Sequence, residues 1–175
     1  MGSLQSRFLP RHRALSRQAI AARSVNRLPV IFDFSSTDLI QFTGRAMRFE
    51  NINGDDIMLY PGVAVIPRVD GAFALIDLRE LQISAEHRVF HEEDGVPSDA
   101  SIAGHTWAKT NKNGSPDRRF KDNYQIPICI YGNITFQSPT GVTEEYMVSN
   151  ADAAQAFAEA VKRYQISLTE SEVLA

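Results

Sequence analysis

Between Gln125 and Gln165 the hydrophobic period of the chain changes once, from two residues to about 3.6, and few folds accommodate that order. Gln125-Ile126-Pro127-Ile128-Cys129-Ile130-Tyr131 places Ile126, Ile128 and Ile130 on one face of a strand, with Pro127 predicting an edge or a bulge. Gly132-Asn133 reads as a break before a second strand, Ile134-Thr135-Phe136. After the turn Ser138-Pro139-Thr140-Gly141 comes a third, Val142–Val148, with Val142, Tyr146 and Val148 on one face. The expectation is a three-stranded antiparallel unit with one wet side. Ser149 or Asn150 then caps a helix, Asp152 favours its N-terminal dipole, and Ala154, Phe157, Val161 and Tyr164 form a stripe down Ala151–Gln165. That helix must cover the sheet. Ile166–Ala175 lack a pattern and read as a frayed polar tail.

Upstream, from Pro29, short strand-like runs alternate with turn chemistry. Val30–Phe34, Leu39–Phe42, Ala46–Glu50, Ile57–Tyr60, Gly62–Ile66, Phe73–Ile76 and Leu81–Ser84 are the predicted strands. Asn51–Asp56 contains Asn-Gly between two such runs, the signature of a hairpin turn. A calcium loop would need further ligands and a closing Glu that the segment lacks. Strands followed by one terminal helix predict a small α+β fold, mainly antiparallel, with a partly closed sheet or barrel capped by that helix.

The N-terminal segment follows other rules. Residues 1–30 hold six arginines and no acid, whereas the rest of the chain carries 12 basic and 21 acidic groups. Leu15, Ala19, Ala22, Val25 and Leu28 recur at spacings of three or four, so a basic amphipathic helix is predicted over Ala14–Leu28, closed by Pro29. Arg13, Arg17, Arg23 and Arg27 surround the stripe and suit an acidic surface of this chain, a sister chain or another protein. A transit peptide or a myristoylation signal at Met1–Ser6 would account for the same composition less well. The predicted organisation is an arm (1–28), a β-rich domain with its C-terminal helix (29–166) and a polar tail (167–175). The lone Cys129, set in an apolar alternation, predicts a reducing, cytoplasmic home, and no apolar run is long enough to span a bilayer.

Ala74-Leu75-Ile76-Asp77-Leu78-Arg79-Glu80-Leu81-Gln82-Ile83 resembles the strand junction of bacterial pleckstrin-homology-like and GRAM-like domains. Gly132–Tyr164 is similar to their last hairpin and capping helix. The resemblance covers roughly Ile57–Gln165 and implies a non-catalytic interaction module. Members that bind inositol phosphates carry basic residues in the first hairpin loop, where this chain has Asp55, Asp56 and, later, Asp70, so the resemblance does not extend to lipid binding. Asn111–Phe120, within Trp107–Tyr131, is similar to a block that recurs in bacterial proteins of unassigned activity.

Catalytic patterns are sparse. His87 and His91 have the four-residue spacing that a helix turns into a zinc pair, but the alternation of His87, Val89 and His91 against Arg88 and Phe90 predicts a strand, and no third ligand follows. There is no nucleophile elbow and no phosphate-binding glycine loop. Asp117 with Glu144 and Glu145 only loosely imitates a nuclease site. No cofactor is expected. The segment with a positive signal is cationic: Lys109, Lys112, Arg118, Arg119 and Lys121, interleaved with Trp107, Phe120 and Tyr124 around Gly114-Ser115-Pro116. Cations with stacking surfaces suit a nucleic acid or a phosphorylated ligand. The competing reading pairs Asp117 with Arg118 or Arg119 to pin a long connection. Two functions therefore follow: a non-catalytic module binding another protein or its own copy, or a nucleic-acid-associated protein, with or without nucleolytic activity, using Lys109–Lys121 and the N-terminal arginines. Membrane contact is not expected.

Overall fold

The computed structural model describes residues 13–16, 28–68 and 70–173. Within them ten strands precede one helix: β1 (Arg13–Ser16), β2 (Leu28–Ser35), β3 (Ala46–Phe49), β4 (Ile57–Tyr60), β5 (Val63–Pro67), β6 (Phe73–Asp77), β7 (Gln82–His91), β8 (Ser101–Trp107), β9 (Gln125–Gln137), β10 (Thr143–Val148) and α1 (Ala151–Val173). All pairings are antiparallel, in the order β6-β5-β4-β3-β2-β1-β10-β9-β7, with β8 on β9 beyond the end of β10.

The sheet divides in two at β2. Leu28–Ile31 pair with β1, and Phe32–Ser35 pair with β3. At the switch the Ile31 N–H donates to the Glu50 carboxylate at 2.7 Å, and the Glu50 N–H donates to the Ile31 carbonyl at 3.1 Å, so the corner leaves neither group unsatisfied. The two sheets enclose one core, with Phe49, Ile57, Ala64 and Ile76 from one and Ile134, Phe136, Tyr146 and Val148 from the other. Four rings meet at its centre: Phe49 lies 4.9 Å from Phe136, 5.8 Å from Tyr146 and 5.4 Å from Phe157 of α1. Edge-on and tilted aromatic contacts of this kind add to the burial of the rings. The strands do not close into a barrel. The order ends at β6 on one side and β7 on the other, and α1 lies over that opening.

Two devices seat the helix. Asn150 Oδ1 accepts the Ala153 N–H at 2.9 Å as the N-cap, which frees Ser149 to donate its hydroxyl to Asp99 ahead of β8. Farther on, Gln165 Nε2 donates to the carbonyls of Leu78 and Leu81 at 2.6 and 2.7 Å, tying α1 to the β6–β7 junction. Beneath the first turns is Gly132. A Cβ there would stand 2.3 Å from the Ala154 Cβ and 3.1 Å from the Ala151 Cα, so only glycine lets helix and strand approach this closely.

Several expectations are corrected. Gly132-Asn133 does not break a strand: β9 runs unbroken through thirteen residues, because the glycine serves the helix and not a turn. Nor is one side of β9 wet, since Cys129 and Tyr131 are as buried as Ile134 and Phe136 on the opposite face. Leu39–Phe42 is a turn, held by the Ile40 N–H to the Thr37 carbonyl, with Phe42 edge-on to Tyr60. Ala14–Leu28 is not the predicted helix where it is described. Arg13–Ser16 form β1, bridging β2 and β10, and Leu28 and Pro29 begin β2. A two-sided gap between strands outweighs a narrow helical stripe. The polar tail is also corrected, as α1 continues to Val173 with Leu168 against the core. Tyr164 is 39 % exposed, and Gln165 takes the inward position expected of it. β8 has no counterpart among the predicted strands, because Ser101–Trp107 has no period-two hydrophobicity. Among the described residues no helix is long and apolar enough to cross a membrane.

Phe157→Ala should lower stability by about 3 kcal/mol, since truncating an aromatic in a packed cluster leaves a cavity. Gly132→Ala should cost about 1–3 kcal/mol by overpacking. Ala154→Gly, which removes the nearest clashing atom, should recover part of the Gly132→Ala loss. Urea unfolding of the three variants and the double variant measures all of this.

Candidate functional site

β8 and β9 are joined by residues 108–124, and polar side chains fold this connection into an arm. It continues the β8–β9 pairing beyond Trp107. The Ala108 N–H donates to the Tyr124 carbonyl, and Asn123 closes on Lys109 from both sides: its Oδ1 accepts the Lys109 N–H at 2.9 Å and its Nδ2 donates to the Lys109 carbonyl at 2.7 Å. Thr110 then bridges Pro116, and the Asn111 N–H reaches the Ser115 carbonyl across a tip that requires φ 81° at Gly114. Asn111 Nδ2 binds Ser115 Oγ and the Pro116 carbonyl, while Ser115 Oγ donates to Asn113 Oδ1 at 2.7 Å.

Asp117 is the pivot of the arm. It is only 5 % exposed, its N–H donates to the Lys109 carbonyl, and its carboxylate accepts the Arg119 N–H, Nε and Nη2 at 3.0, 3.0 and 2.6 Å. These bonds from Arg119 hold the Asp117 carboxyl below its ordinary range and raise the Arg119 guanidinium. Of the two pairings expected for Asp117, the one with Arg119 forms, and it lies within the arm itself. Arg119 is held without being hidden: its side chain is 83 % exposed. With Asn111, Ser115, Pro116, Asp117 and Arg118 it lines an open depression of about 540 Å³.

Lys109, Lys112, Arg118 and Lys121 are all exposed, and among the described residues none forms an ion pair. Phe120 and Tyr124 stand beside them at 48 % and 56 % exposure, while Trp107 is half-buried at the base. Ser115 Oγ is tied between two side-chain amides, those of Asn111 and Asn113, and neither is a base. The imitation of a nuclease site dissolves, because Asp117 belongs to this arm and Glu144 lies on β10, where it is bonded by Asn51 and its carboxyl is raised by burial.

The other candidates fall elsewhere. His87 and His91 share a face of β7, and four residues of strand separate them by about 13 Å, too far for one ion to bridge. Among the described residues no cluster of three or more His, Cys, Asp or Glu is arranged for a metal. Cys129 is buried, and burial followed by the nearby Glu92 charge pushes its thiol up, away from the reactive thiolate. Asp56, weighed as a calcium ligand, instead takes Arg48 at 3.0 Å, and Arg48 also binds Asp33. Of the N-terminal cations, Arg13 lies on β1, while Arg17, Arg23 and Arg27 lie outside the described residues.

Two buried polar features escaped the sequence. Tyr131 donates its hydroxyl to the buried Glu92 at 2.5 Å, thirty-nine residues away. Tyr146 has its hydroxyl in the core with no hydrogen-bond partner among the described residues, and burial, then Glu144 and Asp56, raise its pKa. Neither has a local signal, because each depends on which strand lies opposite. Comparison with protein families, characterised proteins and solved structures finds no match to the chain.

Asp117→Asn should loosen the arm. Because the folded Asp117 carboxyl titrates below its ordinary value of 3.8, its ordering effect is complete above that value and is lost as pH falls through the lower folded value. Emission from Trp107, the single tryptophan, should shift in acid for the native chain. In Asp117→Asn the shifted emission should already be present at neutral pH, with no further acid step.

Proposed function

We propose that the chain is a non-catalytic interaction module whose arm, residues 108–124, binds an acidic segment of a partner protein. One observation supports this above the rest: Lys109, Lys112, Arg118 and Lys121 form no ion pair among the described residues, and the exposed rings of Phe120 and Tyr124 lie on the same arm. Unpaired cations on a pre-ordered loop lose little entropy on meeting carboxylates. The likeness to pleckstrin-homology-like domains belongs to this proposal. Two antiparallel sheets followed by a C-terminal helix over the opening are in keeping with it.

A second reading, single-stranded nucleic acid, is favoured by Phe120 and Tyr124 as stacking platforms, with Arg13, Arg17, Arg23 and Arg27 as further cations. It is placed second because the chain beyond residue 30 is strongly acidic. A short acidic segment senses only the field within about 8–10 Å of the arm, whereas a longer polyanion also meets the acidic body.

Fluorescence anisotropy with a labelled glutamate-rich peptide and a labelled oligothymidine separates the two. The peptide should bind in moderate salt and weaken roughly tenfold or more in the Lys109→Ala, Lys112→Ala, Arg118→Ala, Lys121→Ala quadruple variant. Tighter binding of the oligonucleotide, falling steeply with salt, would install the second reading. Binding of neither probe would remove the arm as a recognition element.

A further inference from the structure

Among the described residues β6, β7 and β8 each have one side without a strand partner, α1 also packs against β7, and two of these edges are blunted. β6 offers only five residues, and β8 is interrupted by a bulge between Ile102 and Gly104. β7 is different: ten residues long, free of proline, and paired to β9 in unbroken register. The Glu92 N–H donates to the Pro127 carbonyl, and hydrogen-bonded pairs alternate along an antiparallel ladder. Gln82, Ser84, Glu86, Arg88 and Phe90 therefore turn their main chains toward β9. Ile83, Ala85, His87, Val89 and His91 turn theirs outward. Val89 is also the most exposed large hydrophobic side chain described, at 69 %.

We infer that β7 pairs with β7 of a second copy of this chain, about a two-fold axis at His87, so that the two molecules share a continuous sheet. The charges on the strand select both the partner and the register. Glu86 and Arg88 are half-exposed and form an ion pair within one strand, with Arg88 Nε 2.6 Å from Glu86 Oε1. With the axis at His87, Glu86 lies opposite Arg88 of the partner copy and Arg88 opposite Glu86 of the partner copy, in the close, non-hydrogen-bonded positions. Moving the axis one residue either way sets Glu86 against Glu86 or Arg88 against Arg88. Moving it two residues leaves both charges without a partner. The favoured register also makes His87 with His87, Ala85 with Val89 and Ile83 with His91 the hydrogen-bonded pairs, so up to about ten main-chain bonds form and Val89 lies within the contact. Such a contact is isologous and closes on itself, leaving no free edge on β7. It is separate from the arm and independent of what the arm binds.

Sedimentation velocity of the full chain at micromolar to near-millimolar concentrations should show a monomer–dimer equilibrium. Glu86→Arg and Arg88→Glu should each raise the dimer dissociation constant at least tenfold, with circular dichroism unchanged. The double variant should restore dimerisation, as should an equimolar mixture of the two single variants, because the charges again oppose across the axis. The quadruple arm variant should dimerise like the native chain, which keeps failure at this surface distinct from failure at the arm. A native chain that stays monomeric throughout would overturn the proposal. So would single variants that dimerise undiminished, a charge swap that restores nothing, or loss of the dimer in the arm variant.

Discussion

The close approach of α1 to β9 at Gly132 is the constraint on which the rest of the molecule depends. Absence of a side chain lets Ala151 and Ala154 rest on the strand, and that contact sets the depth at which the whole helix lies. At that depth Phe157 reaches the rings of Phe49 and Phe136, which come from opposite sheets, so one seating joins both halves of the core. It also brings Gln165 within reach of the Leu78 and Leu81 carbonyls, where the chain passes from β6 to β7 without pairing them. An opening that would otherwise expose main-chain groups is thereby covered by a side-chain amide.

With the core closed at one end, the β7–β9–β8 ribbon is free to extend beyond it. β9 is long enough to pair with β7 along most of its length, with β10 in its second half and with β8 in its first. The buried Glu92 and Tyr131 fasten the far end of this ribbon, and the arm projects from it. Apolar burial and exposed charge are thus spatially divided. The apolar side chains concentrate between the sheets, and the exposed cations stand on a loop whose shape comes from Asn111, Asn123 and the buried Asp117. Arg119, itself exposed, belongs to that framework through its bonds to Asp117, whereas among the described residues the side chains of Lys109, Lys112, Arg118 and Lys121 do not.

Local chemistry was enough wherever a residue's role depended on near neighbours. The Asn51–Asp56 turn, the strands from Ala46 to Ile76, the Asn150 cap and the Asp117 clamp rest on contacts within a few residues, and each was legible as a pattern. The same reasoning marked Lys109–Lys121 as the densest cationic stretch. It failed where the deciding neighbour is remote. A glycine between two strand-like runs looks like a turn until a helix is placed over it, and Tyr164 and Gln165 exchange roles only because two carbonyls wait at the β6–β7 junction.

Taken by itself, the sequence determined the element types over most of the chain, the single terminal helix and the position of the cationic aromatic segment, since periodicity, capping and turn residues act over a few positions. Tertiary structure alone decided that Arg13–Ser16 is a strand, because β2 and β10 leave a gap that only another strand fills with hydrogen bonds on both sides. It alone decided that α1 runs on to Val173, where packing of Leu168 outweighs a weakly patterned tail. It also left one side of β7 without a strand partner among the described residues, because pairing is a property of which strands meet and no strand carries it in its own residues.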